Sequence, residues 1–283
     1  VLLGGLRLMT VERSTPQIHS QAVVDPKAEL GTGVVISSGA VVGPQVVIGD
    51  NTWIGPNVVL GGRVTLGKDN RVFPGACLGQ EPQDLKYRGA NTEVVIGDGN
   101  TLREFVTINR ATEEGEQTRL GDRNLLMAYC HLGHNCLLGN GIVMSNAIQA
   151  AGHVVIEDRA VIGGCLGIHQ FVHIGGMAMI GGMTRVIRDI PPYAMVEGHP
   201  GRLRGLNRVG LQRSGLADRH EGRELKQLKD IWNLLYRSDI VMAEALVQAR
   251  SLELFPAADH LCSFLEASTA PGRRGPTPVL SHR

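Results

Sequence analysis

The feature that most constrains this chain is a period of six. Leu120, Leu126, Leu132, Leu138, Met144, Ala150, Ile156, Ile162, Ile168, Ile174 and Ile180 are all aliphatic. A helix would drift at 3.6 residues and a lone strand would alternate at two, so neither produces this pattern. A strict six is a short strand and a turn, repeated, with one aliphatic anchor pointing inward on each side. The residue after the anchor is often small, as at Gly121, Gly133, Gly139, Ser145, Ala151, Gly163, Gly175 and Gly181, which suits a tight corner. This is the hexapeptide signature of a parallel β-helix.

The same phase runs from Ile18 through Val24, Leu30, Ile36, Val42, Ile48, Ile54, Leu60, Leu66, Val72 and Leu78. Asp84 and Ala90 break it, it resumes at Ile96, Leu102 and Ile108, and Glu114 breaks it once more. Loops are therefore expected over 80–93, carrying Gln83-Asp84-Leu85-Lys86-Tyr87, and over 110–119, which reads as polar and exposed. Both span whole multiples of six, so each is a bulge from one continuous solenoid rather than a domain boundary.

Three hexapeptides per coil would stack residues eighteen apart, one rung above another at about 4.8 Å. His131-Leu132-Gly133-His134-Asn135 then lies beneath Gln149-Ala150-Ala151-Gly152-His153, and that beneath Gly167-Ile168-His169-Gln170-Phe171. Four histidines, an asparagine and two glutamines share one corner column.

Composition agrees with a thin aliphatic core and many corners, since 43% of the 283 residues are hydrophobic, only 4% aromatic, and 37 are glycine. Few aromatics remove stacking as a mode of nucleic-acid binding, and a net charge of +1 gives no reason to expect nucleic acid or a membrane surface. No run of eighteen apolar residues occurs, so no integral membrane contact is expected. Cys77, Cys130, Cys136, Cys165 and Cys262 form no CxxC pair and are odd in number, which argues against a disulfide framework and for the cytoplasm. Cys130 and Cys136 fall two residues before an anchor, in the phase of small core residues.

Residues 1–17 read as an extension, a tag remnant or a targeting peptide, and 18–190 as the β-helix. Val186 is the last anchor, Pro191-Pro192 ends the strand pattern because proline offers no ladder donor, and Gly198-His199-Pro200-Gly201 reads as a linker. A helical region should follow to 268, with Leu225, Leu228, Ile231, Leu234 and Leu235 on one helix face, a second helix near Val241, Ala245 and Leu246, and a third over 257–267. The helices would cap the open end of the coil, and 269–283 would be a disordered tail. Flat lateral faces on a triangular prism favour a homotrimer.

His131-Leu132-Gly133-His134-Asn135-Cys136, Ala151-Gly152-His153-Val154, Ile168-His169-Gln170-Phe171, Gln83-Asp84-Leu85-Lys86-Tyr87 and Gly205-Leu206-Asn207 occur in the order seen in the acyl-carrier-protein-dependent UDP-N-acetylglucosamine O-acyltransferases, which open lipid A synthesis. The chain resembles that family from about Ile18 to Ser268. The resemblance implies a left-handed β-helix, an exception to the usual crossover hand, assembled as a trimer with active sites between subunits. It implies transfer of a 3-hydroxyacyl group from the carrier's phosphopantetheine thioester to the sugar 3-hydroxyl, with no bound cofactor or metal. His134 matches the general base, a task suited to histidine, and Gly152 the donor to the thioester oxyanion.

The family places aspartate after the base. Asn135 stands here, whose carbonyl accepts a ring hydrogen bond but brings no charge. By the same resemblance His153, His169 and Gln170 bind sugar and acyl carbonyl groups, His131 supports them, and Asp84 and Lys86 reach the sugar or its phosphates from a neighbouring subunit. Asn207 and Arg213 match uridine diphosphate contacts, while Val209 replaces a frequent glutamate and Ser214 a frequent second arginine. Gly182 matches a position near the far end of the acyl chain, with Met179 or Met183 closing the groove. Arg185, Arg188, Arg202, Arg204, Arg208 and Arg213 form a local basic run suited to docking an acidic carrier. The competing readings are a sugar N-acyltransferase, a zinc-dependent carbonic anhydrase using His131, His134 and His153, and a non-catalytic scaffold.

Overall fold

The computed structural model describes residues 15–280. Each hexapeptide forms a strand of two to four residues and a corner, and equivalent strands of successive coils pair in parallel. Among the described residues this gives three sheets of eleven, eight and eight strands. Sheet 1 begins at Gln17–Ile18, sheet 2 at Val23–Val24 and sheet 3 at Glu29–Leu30. Leu132 pairs with Ala150 and Ala150 with Ile168, each eighteen residues on. Across the first excursion the partner of Leu78 is Ile108, and across the second the partner of Ile108 is Leu132. The added lengths are whole hexapeptides, so the anchors return to the same face.

Inside sheet 2, Leu60, Leu78, Ile108, Leu132, Ala150 and Ile168 stack on one another and are fully or almost fully buried. Burying one large aliphatic side chain is worth about 1.5–3 kcal/mol, and the fold repeats that gain at every side of every coil. Cys130 and Cys136 are buried core residues whose thiols face the carbonyls of Ser145 and Ala151. Burial pushes them up to about 11 and about 12, so they stay protonated fillers. A buried ladder of Asn70, Asn100 and Asn124 ties three coils together through side-chain amides at 3.0 and 2.9 Å.

The loops are shorter than expected, at 81–92 and 110–116, because Gln117–Leu120 is a strand of sheet 3 with Thr118 buried. The diproline does not end the strand pattern. It occupies a corner, where no ladder donor is needed, and Ala194–Glu197 then pairs with Met179–Ile180 in sheet 1. Arg202–Leu206 returns antiparallel to it, so Gly198–Gly201 is a hairpin turn and not a linker.

Four α-helices follow among the described residues: α1 (Arg208–Arg213), α2 (Arg223–Arg237), α3 (Met242–Arg250) and α4 (Pro256–Ser268). The apolar face of α2 buries Leu228, Ile231, Trp232 and Leu235. α4 lies against the last coils of sheet 3, where the Phe264 ring packs on His173 at 4.7 Å. The joint is polar as well: the Glu157 carboxylate lies 2.8 Å from both His173 Nε2 and His260 Nε2 and accepts from the Gly176 N–H at 2.7 Å. Burial opposes its ionisation, but hydrogen bonds from His173 and His260, with the His260 charge, hold the carboxyl down at about 2.

Residues 269–280 are ordered rather than disordered. Asp189, buried behind sheet 3, accepts from Arg273 at 2.7 Å, Ser268 at 2.8 Å and the His173 N–H at 2.8 Å. Its carbonyl accepts from the Thr277 N–H at 2.7 Å, and bridges join Asp189 to Pro276 and Leu203 to Val279. Composition weighs the tail's residues singly, whereas one distant buried carboxylate organises them. The extension expected over 1–17 falls mostly on 1–14, outside the described residues, as do 281–283.

A carboxyl lowered by folding contributes stability above its unfolded pKa of about 4.3 and loses it as pH falls toward its folded value. Chemical denaturation of wild type and Glu157→Gln should therefore differ most above pH 5, with the difference shrinking between about pH 4.3 and 2; a gap independent of pH would show that the clamp does not titrate.

Candidate active site

The chemistry gathers where sheet 2 turns into sheet 3. His131 is in register with Gln149, and Gln149 with Gly167, so the three segments stack in the expected order. The His134 and His153 rings meet edge to face at 5.0 Å, and His153 stacks on Phe171 at 4.6 Å. The stacked residues Asn135, His153 and Phe171 have φ of 61°, 59° and 65°. Corners elsewhere in the coil do the same, as at Asn57 and Arg159, so this left-handed backbone belongs to the architecture.

His134 is held in one tautomer. Its Nδ1 lies 2.9 Å from Asn135 Oδ1, which only accepts, so Nδ1 carries the proton and Nε2 keeps its lone pair. Glu116 fixes which way the amide faces: Asn135 Nδ2 donates to Glu116 Oε2 at 2.6 Å, and Oδ1 accepts from the N–H and hydroxyl of Thr112 at 3.2 and 3.0 Å. The Asn135 N–H donates to Thr118 Oγ1 at 2.8 Å. Asparagine therefore does the orienting, and the charge it lacks stands one hydrogen bond behind it on Glu116.

A second carboxylate comes from the first excursion. Asp84 Oδ2 lies 3.9 Å from His134 Nε2 of the same chain. The loop is braced by Arg110, which donates to the Tyr87 hydroxyl at 3.0 Å and to the Gly79 carbonyl at 3.1 Å. Lys86 is exposed beside Asp84, its N–H donating to Asp84 Oδ1 at 2.8 Å.

His153 sits one rung above His134, its N–H donating to the His134 carbonyl at 2.9 Å. Burial and the neighbouring His134 lower its pKa, against the opposing pull of Glu116 and Asp84. His131 is lowered by burial and then by His134, and its Nδ1 pairs with Thr107 Oγ1 at 2.8 Å. Both rings are thus neutral hydrogen-bonding groups near pH 7. Gly152 leaves room for the His134 ring, from which a Cβ built there would stand 2.4 Å. Its N–H makes no hydrogen bond with a backbone carbonyl among the described residues. One rung on, His169 and Gln170 are exposed, and a groove of about 410 Å³ runs along sheet 2 from His169 to Arg185, His199 and Met183.

The other expected residues lie at different corners. Asn207 caps α1 through Gly210, and its amide donates to the Met177 carbonyl at 2.9 Å, at the corner between sheets 3 and 1. Arg213 is exposed at the end of α1. Gly182 and Met183 occupy the corner between sheets 1 and 2, and Met179 lies half-buried on sheet 1, away from the groove that Met183 lines. One chain therefore does not bring its column, Asn207 and Gly182 together. Sequence reasoning missed Thr112, Glu116 and Thr118. The break at Glu114 marked their loop, and only the inward slot two residues before Leu120 pointed to Thr118.

A family model described as UDP N-acetylglucosamine O-acyltransferase, domain 2, matches residues 189–277, and a bacterial transferase hexapeptide model matches residues 45–80. The acyl-[acyl-carrier-protein]--UDP-N-acetylglucosamine O-acyltransferase of Synechocystis is 52% identical over 213 residues, covering 75% of this chain and 76% of that one. The chain belongs to this acyltransferase family. The UDP-N-acetylglucosamine acyltransferase structures from Campylobacter jejuni and Francisella novicida superpose with TM-scores of 0.84 and 0.86 at 36% and 35% identity. They cover 94% and 93% of this chain, which spans 100% and 94% of theirs. The coil is left-handed, as the resemblance implies.

Because a misplacement of about 1 Å in a reacting group can cost around a hundredfold in rate, Gly152→Ala should lower acyl transfer by about that factor while leaving the melting temperature within a few degrees. A variant with wild-type turnover would remove the need for close approach at this corner.

Proposed function

We propose that this enzyme transfers a 3-hydroxyacyl group from acyl carrier protein to the 3-hydroxyl of UDP-N-acetylglucosamine, opening lipid A synthesis in the cytoplasm. The observation that carries the reading is His134, its Nδ1 committed to Asn135 and its Nε2 free beside Gly152. Nε2 takes the sugar hydroxyl proton as that oxygen attacks the thioester carbon. The imidazolium so formed is stabilised by Asp84 at Nε2 and, through Asn135, by Glu116. The Gly152 N–H receives the developing oxyanion, an interaction typically worth a few kcal/mol. Collapse breaks the carbon–sulfur bond, and the pantetheine sulfur leaves with the proton that His134 carried.

The division of expected residues among three corners supports a homotrimer, in which one chain's column meets the corners of its neighbours. Asn207, Arg213 and Gly182 would then complete the nucleotide and acyl ends of a shared site. Among the described residues of one chain, no group of three or more His, Cys, Asp or Glu is placed to hold a metal ion. No helix among them is long and apolar enough to cross a membrane. The carrier and the sugar nucleotide are the partners this reading requires.

The test is direct assay with UDP-N-acetylglucosamine and carriers loaded with 3-hydroxyacyl chains of several lengths. Wild type should form the 3-O-acyl product, and His134→Ala should lose about 10²–10⁴ in kcat/KM, the usual worth of a positioned base. An unimpaired variant would end the proposal. In the same assay, reversing Arg202 and Arg204 to glutamate should raise the KM for carrier severalfold and flatten its salt dependence; an unchanged carrier KM would move the docking surface elsewhere.

A further inference from the structure

The ordered tail reaches the column. Arg273 is tied to Asp189, the Asp189 N–H donates to the Gly275 carbonyl at 3.2 Å, and Arg188 Nη1 donates to the Arg274 carbonyl. Arg274 is thus pinned on both sides along the backbone while its side chain stays exposed. Its Nη2 lies 3.3 Å from His169 Nε2.

That contact settles what His169 can offer. A guanidinium only donates, so Nε2 must present its lone pair. Nδ1 lies 3.1 Å from the Gln170 carbonyl, which only accepts, so Nδ1 carries the proton. Both ring nitrogens are committed, and the ring has no donor left for a substrate oxygen. The guanidinium beyond it does: one of its five N–H groups rests on His169, and no carboxylate lies within 4 Å of it among the described residues.

We propose that Arg274 is a substrate-binding residue that takes a phosphate oxygen, with His169 as the mount that aims it. The assignment rests on the acyl-transfer reading above. His169 stands two rungs above His134, about 10 Å along the prism at normal strand spacing, within reach of the anionic part of an extended substrate that reacts at His134. The planar fork of arginine suits phosphate oxygens, and Arg185 and Arg188 are exposed on the next rung. Both co-substrates carry such a group, the diphosphate of the sugar nucleotide and the phosphodiester of the carrier arm.

Titration calorimetry separates the two sources, with UDP as one probe and 3-hydroxyacyl phosphopantetheine as the other, its unphosphorylated counterpart serving as control. Arg274→Ala should weaken one probe about tenfold, His169→Ala should reproduce the loss, and the double variant should lose no more than either. A loss on UDP places the diphosphate at Arg274, and a loss confined to the phosphorylated thioester places the carrier arm there. Unchanged affinity for both probes would overturn the assignment, as would additive losses in the double variant, which would show that the two side chains act separately. Wild-type turnover in the acyl-transfer assay alongside unchanged Arg274→Ala binding would reject this inference alone; an inactive wild type would reject the reading beneath it. Melting curves confirm that the exposed side chain was removed without unfolding.

Discussion

Parallel pairing of residues one full coil apart is the interaction on which everything else in this structure depends. Each rung fixes the next by backbone hydrogen bonds such as Gly133 N–H to Ala150 carbonyl at 2.8 Å and Ala151 N–H to Ile168 carbonyl at 3.1 Å. Side chains far apart in sequence are thereby set on adjacent rungs of one corner. Precision at a catalytic site usually needs supporting residues packed around each group. Here the ladder supplies much of it, because a rung cannot slip without turning its aliphatic anchor outward.

The excursions add what a regular coil lacks. A plain hexapeptide corner places short side chains and one or two rings, with few charged groups at depth. The loop after Gln80 brings Asp84 to the Nε2 side of His134, and the loop after Asn109 brings Thr112 and Glu116 to its Nδ1 side through Asn135. His134 is therefore flanked by carboxylates from two insertions of different length. Asparagine at 135 leaves the nearest negative charge on this side one hydrogen bond out, on Glu116, and fixes the direction in which the ring is held.

The coil was legible in the sequence because its rule is local and repeats: one aliphatic per six residues fixes the register of Leu132, Ala150 and Ile168, and with it the stacking of the histidines. The three long C-terminal helices were legible from their apolar spacing. The supporting residues were not, since Glu116 and Thr112 obey no period and their partner Asn135 lies about twenty residues away. The tail was misread for a related reason. Arg273, Gly275 and Thr277 look like an unstructured stretch until Asp189, more than eighty residues earlier, is known to be buried and short of donors. The hairpin at Gly198–Gly201 was hidden by a diproline that stops a strand in most settings but fits a corner here.

The coil also fixes how such a chain can change length. Each hexapeptide advances the backbone by one face of the prism, so six residues gained between Asn135 and Gly152 would preserve a buried core yet swing Gly152, His153 and His169 a third of a turn from His134. Eighteen would restore the direction and leave a vacant storey between the two halves of the pocket. Excursions such as 81–92 escape this rule because they leave and rejoin at the same corner of the prism, so their length can change without turning the column.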